Sequence, residues 1–290
     1  MNKISVFGGS GFIGSKFCEM YPDEVIKIPR EQREPESNVV LNLVSTNTNY
    51  NIFKDSTIDI RTNLLLLMEI LESAKKKFGS DFTFIQISSW YVYGGTDSPL
   101  PFKEDAYCNP NGFYSISKRA SEMCLRSFSE TFHINYKIFR LGNVIGEGDS
   151  KASAQKNALQ YLMKELVLNH DINLYNGGNF IRDYMDVEDV CSGIYLCMEK
   201  AKNNDIMHIA SGNPYNFGDL ILYCKNKLES TSKIISIQPS EFHGIVQTKN
   251  MYLNIDKLKA LGFVPKYNIF DTLDRIIDYY VEQNKKGNLN

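Results

Sequence analysis

Short apolar runs alternate along the chain with longer stretches in which apolar residues return every three or four positions. Residues 3–7 (KISVF), 24–28 (EVIKI), 39–44 (VVLNLV), 82–87 (FTFIQI) and 135–141 (NYKIFRL) read as buried strands. Between them the spacing predicts helices over 12–21, which Pro22 stops, and over 57–77 and 112–131. Strands and helices alternating at this interval predict βαβ units and a parallel, doubly wound sheet. After about residue 142 the rhythm loosens. A helix is expected over 152–168, a strand over 172–175, a turn at Gly177-Gly178, a helix over 187–199, a strand over 206–210, and helices over 217–228 and 270–283. This is α/β material without a clean repeat, and it predicts a second, smaller lobe that crosses back into the first.

Composition narrows the function classes. The chain has 290 residues, long enough to bury about 75% of its unfolded surface without covalent staples. Lys plus Arg is 32 against 34 Asp plus Glu, so no basic excess points to a nucleic acid polymer. The six cysteines form no CxxC pair and the four histidines are isolated, so neither a metal site nor a disulfide framework is expected. Scattered thiols suit a reducing cytoplasm. No signal peptide is read at the start, and the longest apolar run, Leu64 to Met68, is too short for a membrane span.

The first chemical signal is Gly8-Gly9-Ser10-Gly11-Phe12-Ile13-Gly14, set between a predicted strand and a predicted helix. Glycines there allow a tight turn and close approach of a pyrophosphate, whose charge the helix N-terminus stabilises. Gly8, Gly11, Phe12, Ile13 and Gly14 are therefore expected to bind a nicotinamide dinucleotide. The end of the second strand selects the cofactor: an acid serves the NAD ribose, a nearby Arg the 2′-phosphate of NADP. Here the acid position holds Pro29, followed by Arg30, which favours NADP over NAD, although Glu31 could still serve a ribose.

The second signal is Tyr114-x-x-x-Lys118 on a predicted helix, which puts both side chains on one face. A nearby ammonium favours the phenolate, so Tyr114 can exchange a proton with a hydroxyl or ketone while hydride moves. The fourth strand ends in Ser88-Ser89-Trp90-Tyr91-Val92-Tyr93-Gly94, where open α/β sheets bind ligands. A hydroxyl there can hydrogen-bond the reacting oxygen.

These motifs resemble, in order, those of the extended short-chain dehydrogenase/reductases, in the nucleotide-sugar epimerase/dehydratase/reductase group. Arg140-Leu141-x-Asn143-Val144-x-Gly146, Arg182-Asp183-Tyr184-x-Asp186 and Asp256-Lys257-Leu258-x-x-Leu261-Gly262-Phe263-x-Pro265 extend the resemblance over nearly the whole chain. It implies an α/β fold: a Rossmann-type doubly wound parallel sheet with a smaller C-terminal α/β substrate-binding lobe. The NAD(P)-binding part would be residues 1–142, receiving roughly 187–212, and 143–290 would be mainly the nucleotide-sugar lobe. It implies Ser89, Tyr114 and Lys118 as catalytic residues, with Ser45 and Ser88 beside the cofactor. Asn63, Trp90, Asn143 and Arg182 are expected at the substrate, with Lys249 the nearest basic candidate for the phosphates. For Arg182 the alternative is a salt bridge with Asp183 or Asp186.

Two departures shape the expected reaction. Family 4,6-dehydratases carry an Asp-Glu pair after the catalytic hydroxyl; here it is Trp90-Tyr91, which cannot perform that proton removal and water loss. Asn42 stands where a His is common. The resemblance therefore implies an oxidoreductase at C4 of a nucleotide-linked sugar, a 4-ketoreductase ahead of a 4-epimerase with retained NAD. A reductase of a small non-nucleotide carbonyl and a non-catalytic nucleotide-binding scaffold are the remaining alternatives.

Five consecutive apolar residues, Leu64 to Met68, also cover a helix all round, whereas a helix lying on a sheet needs one stripe. With Met123, Leu125 and Phe128 on the next long helix, this predicts a homodimer through a four-helix interface, an arrangement common in the family. The alternative is a C-terminal lobe folded back over 64–71.

Overall fold

The computed structural model describes residues 3–247 and 250–289. The chain runs β1 (Ile4–Phe7), α1 (Phe12–Met20), β2 (Val25–Lys27), β3 (Val39–Asn42), α2 (Ile58–Ile60), α3 (Leu66–Phe78), β4 (Thr83–Ser89), α4 (Phe113–Phe132), β5 (Asn135–Leu141), β6 (Asn143–Ile145), α5 (Ala158–Val167), β7 (Ile172–Tyr175), β8 (Ile181–Arg182), β9 (Tyr184–Asp186), α6 (Val187–Lys200), β10 (Asp205–Ile209), β11 (Tyr215–Asn216), α7 (Phe217–Lys227), β12 (Ile234–Ile237), α8 (Glu241–Val246), α9 (Asp256–Ala260) and α10 (Ile269–Lys285).

Six strands form one parallel sheet in the order β10-β5-β4-β3-β1-β2. Both faces are apolar because successive side chains point to opposite sides. Phe84 and Ile138 face α3 and α4 together with Leu67, Ile70, Leu71 and Leu125. Ile85, Ile87, Phe139 and Leu141 face the other way, toward Phe17 of α1 and Val190 and Ile194 of α6. This is the Rossmann-type doubly wound sheet that the alternation predicts. β10, following the first excursion into the C-terminal lobe, pairs with β5 from Asp205 opposite Lys137 to Ile209 opposite Leu141. The chain reverses between β1 and β3, and that switch point opens a crevice at the strands' carboxyl ends. The C-terminal lobe has its own core, built from α5, β7, α7 and α10.

Two of the expected helices differ from the pattern-based expectation. The helix expected over 57–77 is broken by a π-helical turn at Arg61–Leu65, where the N–H of Leu66 reaches the carbonyl of Arg61. The extra residue in the turn buries Asn63 while Leu67, Ile70, Leu71 and Ala74 still face the sheet. The helix expected from 152 begins at Ala158. Asp149, nearly buried, holds the preceding loop by accepting from Lys156 Nζ and Asn157 Nδ2, each at 3.0 Å. Among the described residues no helix is long and apolar enough to cross a membrane.

Candidate active site

The glycine loop begins the site. Gly8 has φ +81°, and its carbonyl accepts from Gly11 N at 3.0 Å. A Cβ at Gly14 would lie 2.2 Å from the Gly8 oxygen, so only glycine lets α1 come this close to the turn. Gly11 caps α1 without a side-chain acceptor, so the first-turn N–H groups take no capping hydrogen bond from it. Gly8, Gly11, Phe12, Ile13 and Gly14 line a groove with Leu43, Ser45, Ser88, Ser89, Tyr114 and Lys118. This cradle fits a dinucleotide pyrophosphate.

Ser88 and Ser89 end β4 on opposite faces. Ser89 Oγ accepts from the N–H of Tyr91 at 3.3 Å and so caps the short 3-10 turn Trp90–Val92. Ser88 Oγ instead donates to Glu122 Oε1 at 2.6 Å. Glu122 also takes Arg140 in a fork, at 2.9 and 2.7 Å, and Arg119 at 2.8 Å. Ser88 lines the groove, but its hydroxyl is committed to a buried ion pair.

Tyr114 and Lys118 lie one turn apart on the buried face of α4. Gly112, at φ +86°, starts this helix against Asn49, whose amide bonds Ser115. Burial pushes the Tyr114 phenol up to about 12; the Ser89 and Ser45 hydroxyls oppose that shift. Burial lowers Lys118 to about 8, opposed by the Glu122 charge, and its ammonium donates to the Ile87 carbonyl at 2.5 Å.

Beyond Tyr114 the groove opens into a second chamber, sharing Ser89, Tyr114, Gly142 and Val144 with it. Trp90 and Tyr91 form one wall, their rings stacked at 3.9 Å. Tyr91 meets the Tyr114 ring edge-on at 5.7 Å, and its hydroxyl donates to Gln247 Oε1 at 3.0 Å. Trp90 Nε1 donates to Asn143 Oδ1 at 3.2 Å, and Asn143 Nδ2 donates to the Asp183 carbonyl at 2.9 Å. The Arg182 guanidinium lies over Phe180 at 4.6 Å and Trp90 at 5.6 Å, facing the chamber. Arg182 Nη1 donates to the Ile181 carbonyl at 2.8 Å; nearby, Asp183 accepts from Ser211 and Gly212, and Asp186 caps α6 and pairs with Arg275.

Asn63 lines neither cavity. Its Oδ1 accepts from Ser45 Oγ and Thr46 N at 3.1 and 3.0 Å, and its Nδ2 donates to Thr46 Oγ1 and Ser117 Oγ, each at 2.8 Å. It is thus a brace between the loop after β3 and α4, which corrects its expected place at the substrate. Asn42 is structural as well: its Nδ2 donates to Gln86 Oε1 across β3 and β4. Arg30 is exposed past the end of β2 and makes no ion pair among the described residues, whereas Arg33 is held by Glu69 at 2.7 Å and by the Arg30 carbonyl at 2.8 Å. Lys249 lies outside the described residues.

Residues that pattern did not single out complete the chamber: Tyr50, Lys156, His243 and Gln247. The last two arrive from the C-terminal lobe, where His243 Nδ1 and the Tyr50 hydroxyl are 2.7 Å apart.

Residues 23–210 match the model of the family described as "NAD dependent epimerase/dehydratase family". A GDP-6-deoxy-D-mannose reductase of Pseudomonas aeruginosa is 25% identical over 239 residues, 76% of this chain and 78% of its own. The UDP-glucose 4-epimerase of Thermotoga maritima, solved with UDP-glucose, superposes with a TM-score of 0.87 at 22% identity, covering 98% of this chain and 100% of its own. RMD from P. aeruginosa, solved with NADPH, does so with 0.85 at 20% identity and the same coverage.

Proposed function

The chain belongs to the NAD dependent epimerase/dehydratase family, and from that membership and the site's geometry we propose that it reduces a ketone at C4 of a hexose carried on a nucleoside diphosphate. The observation that carries this reading over 4-epimerisation is the wall beside Tyr114. An epimerase must turn its 4-keto intermediate so that both ring faces meet the nicotinamide, which needs open space. Here Trp90 and Tyr91 stack on one another and are tied to Asn143 and Gln247. Such a wall favours a sugar held one way round.

When bound, the reduced nicotinamide supplies hydride. Tyr114, kept as the neutral phenol by burial, gives its proton to the carbonyl oxygen as charge develops there. The Ser89 hydroxyl hydrogen-bonds the same oxygen. The Lys118 ammonium stabilises the phenolate left behind. Arg182 and the second amide hydrogen of Asn143 hold the diphosphate. Residues 1–142 with 187–212 hold the cofactor in this reading, and the remainder holds the nucleotide. Arg30 favours NADPH over NADH. The relative named as a reductase of a nucleoside-diphosphate sugar supports the same direction. The active unit is a homodimer built on the exposed apolar face of α2, the π-helical turn and α4.

Incubation with NADPH carrying deuterium at C4 and a panel of nucleotide-linked 4-ketohexoses tests the reading by mass spectrometry. One deuterium per product and stoichiometric NADPH loss are expected. Interconversion of C4 epimers without added cofactor would replace it with the epimerase.

A further inference from the structure

The chamber beyond Tyr114 has Lys156, Arg182 and His243 in its wall and, among the described residues, no carboxylate. An adjoining cavity of about 350 Å³ also has Arg182 and His243 in its wall, again with no acid. Lys156 is paired with Asp149 at 3.0 Å. Arg182 therefore brings one positive charge to a space in which a diphosphate, esterified at both ends, would bring two negative ones.

His243 is placed to answer the second. Helix α8 carries it in from the C-terminal lobe, and its ring centre stands 4.4 Å from that of Tyr175. Its Nδ1 lies 2.7 Å from the hydroxyl of Tyr50, in the 3-10 turn Asn49–Phe53. That hydroxyl can donate to a bare Nδ1 or accept from a protonated one, so the contact survives either charge state. The other groups around the ring give it no fixed countercharge. Tyr175 offers a phenol and Gln247 an amide. Glu165 and Asp171 line a neighbouring groove that His243 also borders, but Glu165 is paired with His170 at 2.9 Å and Asp171 accepts from Lys233 N at 2.7 Å. Glu241, in the first turn of α8 itself, is exposed. Burial and the Arg182 charge hold the imidazole below its ordinary range.

We propose that His243 is a second cation of the diphosphate site, protonated from solvent as a nucleotide sugar binds. The inference rests on the reading that Arg182 holds the diphosphate. Two phosphate charges beside Arg182 turn the field at His243 from repelling a proton to attracting one, and the imidazolium gains a charge-assisted contact. By linkage, a ligand that raises the affinity for a proton has its own affinity raised by that proton by the same factor. Binding should therefore tighten as pH falls from about 8 toward about 6, by at most about tenfold per pH unit. A lysine or arginine in this place would give no such dependence.

The test is isothermal titration of the full chain, saturated with whichever of NADP and NAD it binds more tightly, with UDP-glucose, dTDP-glucose, GDP-mannose and CDP-glucose. Esterified at both ends, these diphosphates lack the terminal phosphate that titrates near neutrality, so the protein alone is read. Titrations at about pH 6.5 in two buffers of unlike ionisation enthalpy count the protons taken up. Uptake of up to about one proton per ligand is expected, together with tighter binding at lower pH. His243→Gln should abolish the uptake and flatten the pH dependence. His243→Arg should flatten it as well while keeping the tighter, low-pH affinity. A histidine that only packs would leave the pH slope unchanged in both variants. Binding without proton uptake in the wild type overturns the proposal and leaves the nucleotide-sugar reading standing, as does uptake that persists in folded His243→Gln. If none of the four ligands binds at any pH, the nucleotide-sugar reading itself fails, and this inference with it.

Discussion

The ammonium of Lys118 donates to the carbonyl oxygen of Ile87 at 2.5 Å, which ties the helix carrying Tyr114 to the strand carrying Ser89. Burial lowers the lysine to about 8, so its charge is present below that value and lost above it. The proposed reaction needs that charge beside the phenolate. Turnover should therefore fall as pH rises through about 8. Stability should move the other way. Between the folded value and the ordinary lysine value near 10.5 the unfolded chain binds the extra proton, so raising the pH relieves a cost of folding. A pH–rate profile beside denaturant unfolding at the same pH values checks both signs. An activity that stays flat to pH 9.5 would remove the Lys118 charge from the mechanism.

Tyr114→Phe removes one oxygen and keeps the ring that packs against Tyr91. Turnover should drop by about 10²–10⁴-fold with cofactor affinity nearly unchanged. Ser89→Ala should act in the same direction. Ser88→Ala should behave differently, because its hydroxyl serves buried Glu122 and not the reacting oxygen. It should cost about 1–3 kcal/mol of stability through a lost hydrogen bond to a charged group, while Arg140 and Arg119 still hold Glu122. Steady-state kinetics and thermal melts of the three variants separate these roles.

Arg30 stands exposed beyond β2, whereas Arg33 is already held by Glu69. Arg30→Ala should weaken NADP binding by roughly 10-fold or more and leave NAD binding almost unchanged, since a charge-assisted contact to the 2′-phosphate has no counterpart in NAD. Isothermal titration with both cofactors decides this. Tighter binding of NAD by the wild type would reverse the preference.

The strands were legible because most are short apolar runs buried on both faces, and Tyr114 and Lys118 because one helical turn separates them. What joins the two lobes was not legible. Gln247 and His243 enter the chamber from α8 and the residue after it, more than a hundred positions beyond Tyr114, with no local spacing to connect them. Asn63 resembled a substrate ligand because its position near the site was readable while its direction was not. The π-helical turn rotates it toward Ser45, Thr46 and Ser117. The same turn changed the meaning of the leucine run: Leu67 is 1% exposed and Leu65 is 55% exposed, so the run is not apolar on an uncovered cylinder but divided between core and surface.

That division bears on the proposed dimer. Leu65 and Ile60 are exposed by 55% and 40%, and α2 and the π-helical turn pack against α4, on which Ile116 and Met123 are exposed by 49% and 57%. These side chains make an apolar face of the kind that marks an interaction site. The core of the C-terminal lobe is assembled from α5, α7 and α10 and includes no residue of 64–71, so that lobe does not supply the cover. A two-fold axis here would bring α4 and the preceding helix of each subunit into one four-helix contact. Sedimentation equilibrium at micromolar concentration should therefore give twice the 33.2 kDa chain mass. Leu65→Glu should give a folded monomer, because it charges the contact without entering the core. Leu67→Glu should unfold the protein at any concentration, because it buries a charge against the sheet. A wild type sedimenting as a single chain, or a Leu65→Glu variant that remains dimeric, would move the interface elsewhere.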